Sequence, residues 1–267
     1  MIIKQNELLL YAERKINMEI YDISHAVLDK SWCFPHLRAA FTRIYFPIKG
    51  EAAVEIGGAP LVLSPGYIYV IPADLDFSCS CEGMLEKIFV HLNLTLPNGS
   101  DALSGVRSCL VLEDHDRTTA EVASLCEQND IRAAIRLKHL LYEVLDRALT
   151  MMEPTLPIVT YTRTTGAALS FVEQHLHAGL CVSDIADALF VSKTVLQRRF
   201  KSDIGKSLGR YIDDCLMARA EVLLVDPTLS IKDVSEQLGF CDQFYFSRKF
   251  SDTHGISPRV FRRIHGQ

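Results

Sequence analysis

The sequence predicts a mixed α+β chain, with a strand-rich N-terminal part and an all-helical C-terminal part. Three observations indicate this fold class. From Thr42 onward, aromatic and β-branched runs alternate with Gly and Pro, which is typical of short antiparallel strands. From Arg117 the apolar residues recur at a helical period. Between residues 166 and 267 a pattern of two short helices occurs twice, the second copy about 50 residues after the first.

The strand-rich part, residues 1–115, predicts a small β-sandwich or barrel, because short strands follow one another with no helix between them. Alternation along two of these strands gives one face of each an aromatic and basic character. The side chains concerned are Arg43, Tyr45 and Lys49 on the first strand and Lys87, Phe89 and His91 on the second. Such side chains facing into a barrel suit a small polar or anionic ligand, such as a sugar or an organic acid. The alternative is a packed barrel that serves only dimerisation or a protein partner.

Residues 116–152 predict a helical segment that residues 128–130 divide into a shorter and a longer helix. The longer helix carries an apolar stripe made of Ile131, Ile135, Leu141, Val144, Leu145, Ala148 and Met152. This stripe must be covered by something. It packs either on the barrel of its own chain or on the same helix of a second copy, which would make the protein a homodimer. Residues 153–165, with two prolines and no helical period, predict a linker.

The composition is that of an ordinary soluble globular protein, with 48% hydrophobic and 23% charged residues. Apolar runs fall far short of the roughly 20 residues of a membrane span, and the first residues carry too many charges for a signal peptide. We therefore expect a cytoplasmic protein with no membrane partner.

The sequence carries little sign of metal or redox chemistry. Its eight cysteines are scattered, and Cys79 and Cys81 form the one close pair. Reduced, mostly buried thiols are one interpretation, and a redox or metal role for this pair is the other. The strand-rich part has no His-x-His pair, and His36 and His91 are isolated in sequence. We expect no metal site, no cofactor and no catalytic residue.

Charge is shared unevenly along the chain. The whole chain has a formal charge of −5, yet residues 164–267 hold 13 Lys and Arg against 12 Asp and Glu. Two basic patches stand out there, at 192–206 and 248–263, each with five basic residues and one acidic residue. The asymmetry suggests that only the C-terminal half binds nucleic acid.

Each copy of the repeat predicts a short helix, a tight turn and a second helix. Asp184 and Asp233 lie near the starts of the first helices, and Ser192 and Asp242 are good N-caps for the second helices. Leu196 and Phe200, or Phe246 and Phe250, form an apolar stripe on each second helix. The side chains predicted to face outward are Lys193, Thr194, Gln197, Arg198 and Lys201 in the first copy and Gln243, Phe244, Ser247, Arg248 and Lys249 in the second.

This outward set has the chemistry of major-groove recognition. Arg can bond guanine, Gln can bond adenine, and Thr or Phe can contact a thymine methyl group. Lys and the remaining Arg can neutralise phosphates. A polar, basic face on one helix is usually only a solvated surface, whereas two matching copies argue for double-stranded DNA as the partner. The helix predicted over 207–226 would be about 27 Å long, close to one DNA turn of about 34 Å.

A resemblance to the AraC/XylS family of bacterial transcription regulators rests on the segments "VSDIADALFVSKTVLQRRFKSDIG", "GFCDQFYFSRKF" and "GISPRVFR". It covers residues 166 to about 263 and implies a double helix-turn-helix DNA-binding domain over 166–267. Two positions depart from the family pattern, namely Phe190, where many members have Gly, and Leu216, where Arg is common. The resemblance implies base contacts for Thr194, Gln197 and Arg198 and for Gln243, Phe244, Ser247 and Arg248.

In this family a cupin-like barrel often precedes the DNA-binding domain, and the G…G…L.PG…..P rhythm of residues 45–73 is similar to it. The resemblance implies an effector-binding barrel over 1–115 and a dimerisation segment over 116–152. The arabinose-binding member implies ligand-contacting positions near Lys49, Ser78, Lys87 and Phe89. The implied function is effector-controlled transcription regulation, with RNA polymerase as a partner if the protein activates. Control by a protein partner, or a cupin-type enzyme with a DNA-targeting domain, are the alternatives.

Overall fold

The fold described here is that of a computed structural model, which describes residues 13, 16–96, 101–103, 105–115, 117–152 and 161–265. It divides into two compact units: the described residues between 16 and 152 form an N-terminal unit, and residues 161–265 form a helical C-terminal unit. The architecture is mixed α+β, as the sequence predicts. Much of the predicted linker lies outside the described residues.

The N-terminal unit contains antiparallel strands and then two helices. The strands are β1 (Asn17–Leu28), β2 (Phe34–Leu37), β3 (Thr42–Gly50), β4 (Ala52–Ile56), β5 (Ala59–Leu63), β6 (Tyr67–Ile71), β7 (Phe77–Ser80), β8 (Leu85–Thr95) and β9 (Leu110–Glu113). The helices are α1 (Thr118–Cys126) and α2 (Ile131–Thr150). Gly57 and Gly58 join β4 to β5 with φ of 59° and 83°, and positive φ at both positions is what a tight two-residue hairpin turn requires.

The strands form two open sheets, not a single closed barrel, within the described residues. One sheet has the order β1-β8-β3-β6-β9, and the other has the order β2-β7-β4-β5. All of their pairings are antiparallel. The sequence expectation of a barrel is thus corrected to two sheets that bury apolar side chains between them. Tyr69 of the first sheet donates its hydroxyl to the Val62 carbonyl of the second at 2.9 Å, which joins the two layers.

The outer face of the five-stranded sheet is covered by α1 and α2. Ile44, Phe46 and Val90 of this sheet share one core cluster with Leu141 and Val144 of α2, all almost fully buried. Burial of this shared apolar surface holds the helices on the sheet. Of the two coverings that the sequence left open for the stripe of α2, packing on its own chain is therefore realised.

The apolar stripe of α2 is shifted from the one the sequence predicts. Ala133, Leu137 and Leu140 are buried, whereas Ile131 is 75% exposed and Ile135 is 66% exposed. The prediction was wrong for these two isoleucines because the buried face of α2 begins at Ala133 and continues through Leu137 and Leu140, which leaves Ile131 and Ile135 on the exposed side.

The C-terminal unit is a series of helices. They are α3 (Arg163–His175), α4 (Val182–Ala188), α5 (Lys193–Ile204), α6 (Leu208–Val225), α7 (Ile231–Gln237), α8 (Gln243–His254) and α9 (Pro258–His265). Because α3 begins at Arg163, the end of the predicted linker is helical. The pairs α4–α5 and α7–α8 are the two predicted helix-turn-helix units, and α6 is the predicted joining helix of 18 residues. None of the helices in the described residues is long and apolar enough to cross a membrane.

Candidate nucleic-acid interface and buried cationic cluster

Helix α5 is held by two buried side chains and capped at both ends. Leu196 and Phe200 are fully buried in the core of the first helix-turn-helix unit. The Ser192 hydroxyl accepts from the Val195 N–H at 3.3 Å, which satisfies one of the free donors of the first turn. Gly205 ends the helix at φ 83°, a left-handed conformation that glycine adopts without strain. The opposite face of α5 is left to solvent.

Helix α8 repeats this construction in the second unit. Phe246 and Phe250 are fully buried, and Gly255 ends the helix at φ 73°. The Asp242 carboxylate accepts from the N–H groups of Phe244 at 2.8 Å and Tyr245 at 2.7 Å. The backbone hydrogen bond from Tyr245 is the main reason that the pKa of Asp242 lies below its ordinary value.

The structure brings most of the predicted outward residues to exposed faces. On α5 the exposed residues are Lys193, Thr194, Gln197, Arg198 and Lys201. On α8 Phe244 and Arg248 are exposed, whereas Gln243, Ser247 and Lys249 are half-buried. The Lys249 Nζ lies 2.6 Å from Asp213 Oδ1 on α6, so this lysine ties α8 to the joining helix.

The first helix of each unit begins with a capping box. The Asp184 carboxylate accepts from the Cys181 N–H at 2.8 Å, and that of Asp233 accepts from the Ser230 N–H at 2.7 Å. In the second unit the Ser230 hydroxyl accepts in return from the Asp233 N–H at 3.1 Å. The pKa values of both carboxyl groups lie below their ordinary range, chiefly because the side chains of Cys181 and Ser230 hydrogen-bond them and secondly because of these backbone bonds. The acidic residues predicted at the helix starts therefore act as caps.

One buried polar contact in the second unit was missed by sequence reasoning. Glu221 of α6 is 5% exposed, and its Oε1 lies 2.6 Å from His254 Nε2. The other ring nitrogen, Nδ1, faces the Phe250 carbonyl oxygen at 3.0 Å. Both ring nitrogens face acceptor atoms, so the geometry fits a protonated imidazole between a carboxylate and a carbonyl. A helical wheel of α6 predicts that Glu221 is near the core but says nothing of its partner.

In the N-terminal unit a cluster of buried cations and aromatic rings lies on the inner face of the five-stranded sheet. Strand pairing sets Arg43 opposite His91 and Tyr45 opposite Phe89, so these side chains share one face. Arg43 is 2% exposed, and its Cζ lies 5.4 Å from the centroid of the Phe77 ring of the other sheet. The cluster therefore lies between the two sheets.

Lys87 is at the centre of this cluster. Its side chain is 3% exposed, and its Nζ lies 3.2 Å from the centroid of the Tyr45 ring and 4.6 Å from that of Trp32. Among the described residues, its Nζ forms no ion pair with a carboxylate. Burial is the main cause that holds the pKa of Lys87 well below its ordinary value, and the nearby Arg43 charge acts in the same direction. An ammonium stabilised only by rings is poorly solvated.

The structure does not bring Lys49 and Ser78 into this cluster. The pairing of β3 with β8 shifts between Pro47 and Lys49, and this irregularity breaks the strict alternation on which the sequence prediction depended. Lys49 is exposed as a result. Ser78 lies between the buried Phe77 and Cys79 and therefore faces the outer side of its sheet. The cluster brings together the other five predicted effector residues, which are Arg43, Tyr45, Lys87, Phe89 and His91.

Among the described residues, cysteines and histidines do not group into a metal centre. Cys79 and Cys81 are both free and buried, and burial raises the pKa of the Cys79 thiol to about 11. A His-x-His pair does occur at the end of α3, but His175 Nδ1 faces the Phe171 carbonyl oxygen and His177 Nδ1 accepts from the Gly179 N–H. Throughout the part of the chain that the structure describes, no three His, Cys, Asp or Glu side chains are grouped to hold a metal ion.

Comparison with known proteins finds a matching family for the helix-turn-helix region and a relative along nearly the whole chain. The family described as "Helix-turn-helix domain" matches residues 185–264. The chain is 24% identical over 278 residues to the Msm operon regulatory protein of Streptococcus mutans, covering 97% of this chain and 98% of that protein.

Two solved structures of ToxT from Vibrio cholerae share the fold at 14% identity. The first has a TM-score of 0.55 and covers 92% of this chain and 99% of ToxT. The second, with an unsaturated fatty acid bound, has a TM-score of 0.51 and covers 93% of this chain and 95% of ToxT. The Streptococcus mutans relative is named as an operon regulatory protein. With a helix-turn-helix domain over residues 185–264, the chain is a DNA-binding transcription regulator that resembles the AraC/XylS family.

Proposed function

We propose that α5 and α8 are recognition helices that enter successive major grooves of promoter DNA. One observation carries this proposal: the same capped helix occurs twice, each time with two buried side chains on one face and exposed Arg on the other. Thr194, Gln197 and Arg198 of α5 are the proposed base-contacting residues in the first unit. Arg198 suits guanine because its guanidinium can bond both major-groove acceptors of that base.

In the second unit the proposed base contacts are Gln243, Phe244, Ser247 and Arg248. The Arg248 Cζ lies 5.8 Å from the Tyr245 ring, a contact that limits the conformations of the guanidinium before DNA arrives. Lys193, Lys201 and Lys249 are proposed phosphate contacts, which fix position without reading sequence. Lys249 is paired with the Asp213 carboxylate in the free protein, so a DNA phosphate would replace that carboxylate as its partner. If the regulator activates transcription, RNA polymerase is a further partner, and such a regulator would work in the cytoplasm.

We propose that the buried cationic cluster is the effector site and that its ligand is an organic acid. Lys87 and Arg43 are two cations buried among rings, and the pKa of Lys87 is held down because burial leaves its charge poorly solvated. A carboxylate beside the Lys87 Nζ would supply the missing counter-charge. ToxT, which resembles this chain in fold, has been solved with an unsaturated fatty acid bound, and this supports an acid over a sugar. The alternative is control by a protein partner.

We propose that the exposed face of α2 forms a homodimer. After α2 has packed on its own sheet, Ile131, Ile135 and Tyr142 remain exposed at spacings of four and seven residues. Residues with these spacings lie on one side of a helix, so the unit keeps a second apolar strip on α2. A twofold contact between two such strips would bury them and would place two DNA-binding units on one promoter.

Replacing the recognition arginines should weaken specific DNA binding. We expect Arg198→Ala and Arg248→Ala each to cost about 1–3 kcal/mol on DNA that the wild-type protein selects from a random pool, because each loses a bidentate base contact. Fluorescence anisotropy with labelled duplexes measures this. The control is Arg219→Ala, which removes the same charge from an exposed position on α6 and should lower binding only slightly. If both recognition variants bound the selected DNA as tightly as wild type, the base-reading assignment would be withdrawn.

Replacing Lys87 by Met should stabilise the free protein and abolish its response to acids. We expect the variant to melt at a higher temperature near pH 7, because burial lowers the pKa of Lys87 and so penalises its charged form in the native state. The native state binds fewer protons than the unfolded state between the lowered pKa and about 10.4, so wild-type stability should rise with pH over that window. This rise should be smaller in the variant.

Thermal unfolding with a panel of organic acids and sugars separates the effector proposals. An acid that binds the native state should raise the melting temperature of the wild type and of the exposed control Lys30→Met, but not that of Lys87→Met. A sugar that stabilised wild type and Lys87→Met equally would contradict the acid assignment. No ligand effect on the wild type would favour a protein partner.

Charging the exposed face of α2 should separate the proposed dimer. We expect wild-type protein to sediment as a dimer at micromolar concentration and the double variant Ile131→Glu with Ile135→Glu as a monomer, because four glutamates would meet at the interface. Val27→Glu, at another exposed apolar position of the same unit, should remain dimeric. A monomeric wild type, or a double variant that stayed dimeric, would refute this interface.

A further inference from the structure

The turns of the two helix-turn-helix units share one left-handed backbone position. In the first unit the Phe190 N–H donates to the Asp187 carbonyl at 3.1 Å, and in the second the Gly239 N–H donates to the Glu236 carbonyl at 3.0 Å. The N–H of the next residue also donates to a backbone carbonyl of the first helix in each unit. The Val191 N–H donates to the Ala186 carbonyl and the Phe240 N–H donates to the Ser235 carbonyl, both at 3.0 Å. The φ angles are 53° at Phe190 and 74° at Gly239. The two turns are thus built alike.

The surroundings of this position differ completely between the units. The Phe190 side chain is 96% exposed, so nothing in the first unit restricts its size. At Gly239 an added Cβ would lie 3.2 Å from His177 Cβ and 3.7 Å from the Ala178 backbone nitrogen. The second turn therefore requires glycine for a steric reason in addition to its left-handed φ, whereas the first turn accepts even phenylalanine.

Gly239 lies against the loop between α3 and α4, and this loop packs into the core of the first unit. Leu180 of this loop is buried in the same core cluster as Leu196 and Phe200 of α5. The loop is held by the His177 carbonyl, which accepts from the Leu180 N–H at 3.0 Å. The Ala178 N–H donates to the Leu238 carbonyl in the second turn at 2.8 Å. A loop rooted in the core beneath α5 therefore contacts the turn just before α8.

This contact supplements the covalent link through α6. A single joining helix fixes the distance between two units but allows them to bend or twist about it. The loop contact is made close to the N-terminus of α8. The two units are therefore joined at two places, through α6 and through the loop that packs beneath α5. The Lys249 to Asp213 ion pair at 2.6 Å fastens the far side of α8 to α6.

We propose that the contact of His177 and Ala178 with Leu238 and Gly239 is a clamp that sets the spacing of the two recognition helices, and thereby the spacing of the two DNA segments the regulator accepts. The proposal rests on the proposed function, because it assumes that α5 and α8 both read bases. His177 and Gly239 are positioning residues and touch no DNA in this account. The clamp favours binding to two DNA segments, because the second recognition helix adds affinity only when the spacing lets both helices bind at once.

The test uses the full chain and DNA selected by the wild-type protein. Three kinds of duplex are compared: both segments at the selected spacing, both segments with one or two base pairs added or removed, and one segment alone. The variants are Gly239→Asn, whose side chain tolerates positive φ yet adds a Cβ at the clamp, and His177→Gly, which removes the opposing Cβ without adding volume. Phe190→Asn is the matched control, since it places the same side chain at the same turn position where nothing packs on it.

We expect the wild type and Phe190→Asn to prefer the selected spacing by at least about tenfold, and the clamp variants to prefer it by less than about threefold. Binding to one segment alone should be unchanged in all variants. If Gly239→Asn fails to fold, as thermal unfolding would show, His177→Gly decides the question alone.

The clamp proposal would be overturned if folded Gly239→Asn and His177→Gly proteins kept the wild-type spacing preference. It would also be overturned if they lost as much affinity for a single segment as for the two segments at the selected spacing. Failure of the proposed function is a separate outcome, because the wild type itself would then show no two-segment preference.

Discussion

The burial of two side chains four residues apart is the constraint on which the DNA-binding unit depends. Leu196 and Phe200 in α5, and Phe246 and Phe250 in α8, are fully buried, and their burial decides which face of each helix meets water. Once that face is set, the periodicity of the helix places Arg198 and Arg248 outward. The caps at both ends then fix where each helix begins and stops. Core packing and the proposed base contacts are on opposite faces of the same helices.

The N-terminal unit has the reverse arrangement, with its cations inside. Lys87 is buried against aromatic rings, and the free protein loses stability because the ammonium is poorly solvated there. In the proposed effector site, the carboxylate of a bound acid would offset this cost. The net negative charge of the chain does not conflict with DNA binding, because ten of the 13 Lys and Arg of residues 164–267 lie in the two basic patches.

The sequence predicts those features that depend on local pattern and repetition. Both helix-turn-helix units follow from their matching apolar and capping positions, and the mixed α+β class follows from the change of period near Arg117. Features that depend on a second element were not predictable. The bulge that exposes Lys49, the packing that leaves Ile135 exposed and the pairing of Glu221 with His254 each involve a neighbour distant in sequence. Periodicity identifies a buried face but not its partner.

In the proposed function, two helices held at a fixed separation read two DNA segments on one face of the duplex. Selection of bound sequences from a random DNA pool by the purified full chain tests it most directly. We expect an enriched motif of two short blocks whose centres lie about 10 base pairs apart, which is one helical turn, with little preference for the bases between them. A single contiguous block, or no enrichment over the starting pool, would contradict it.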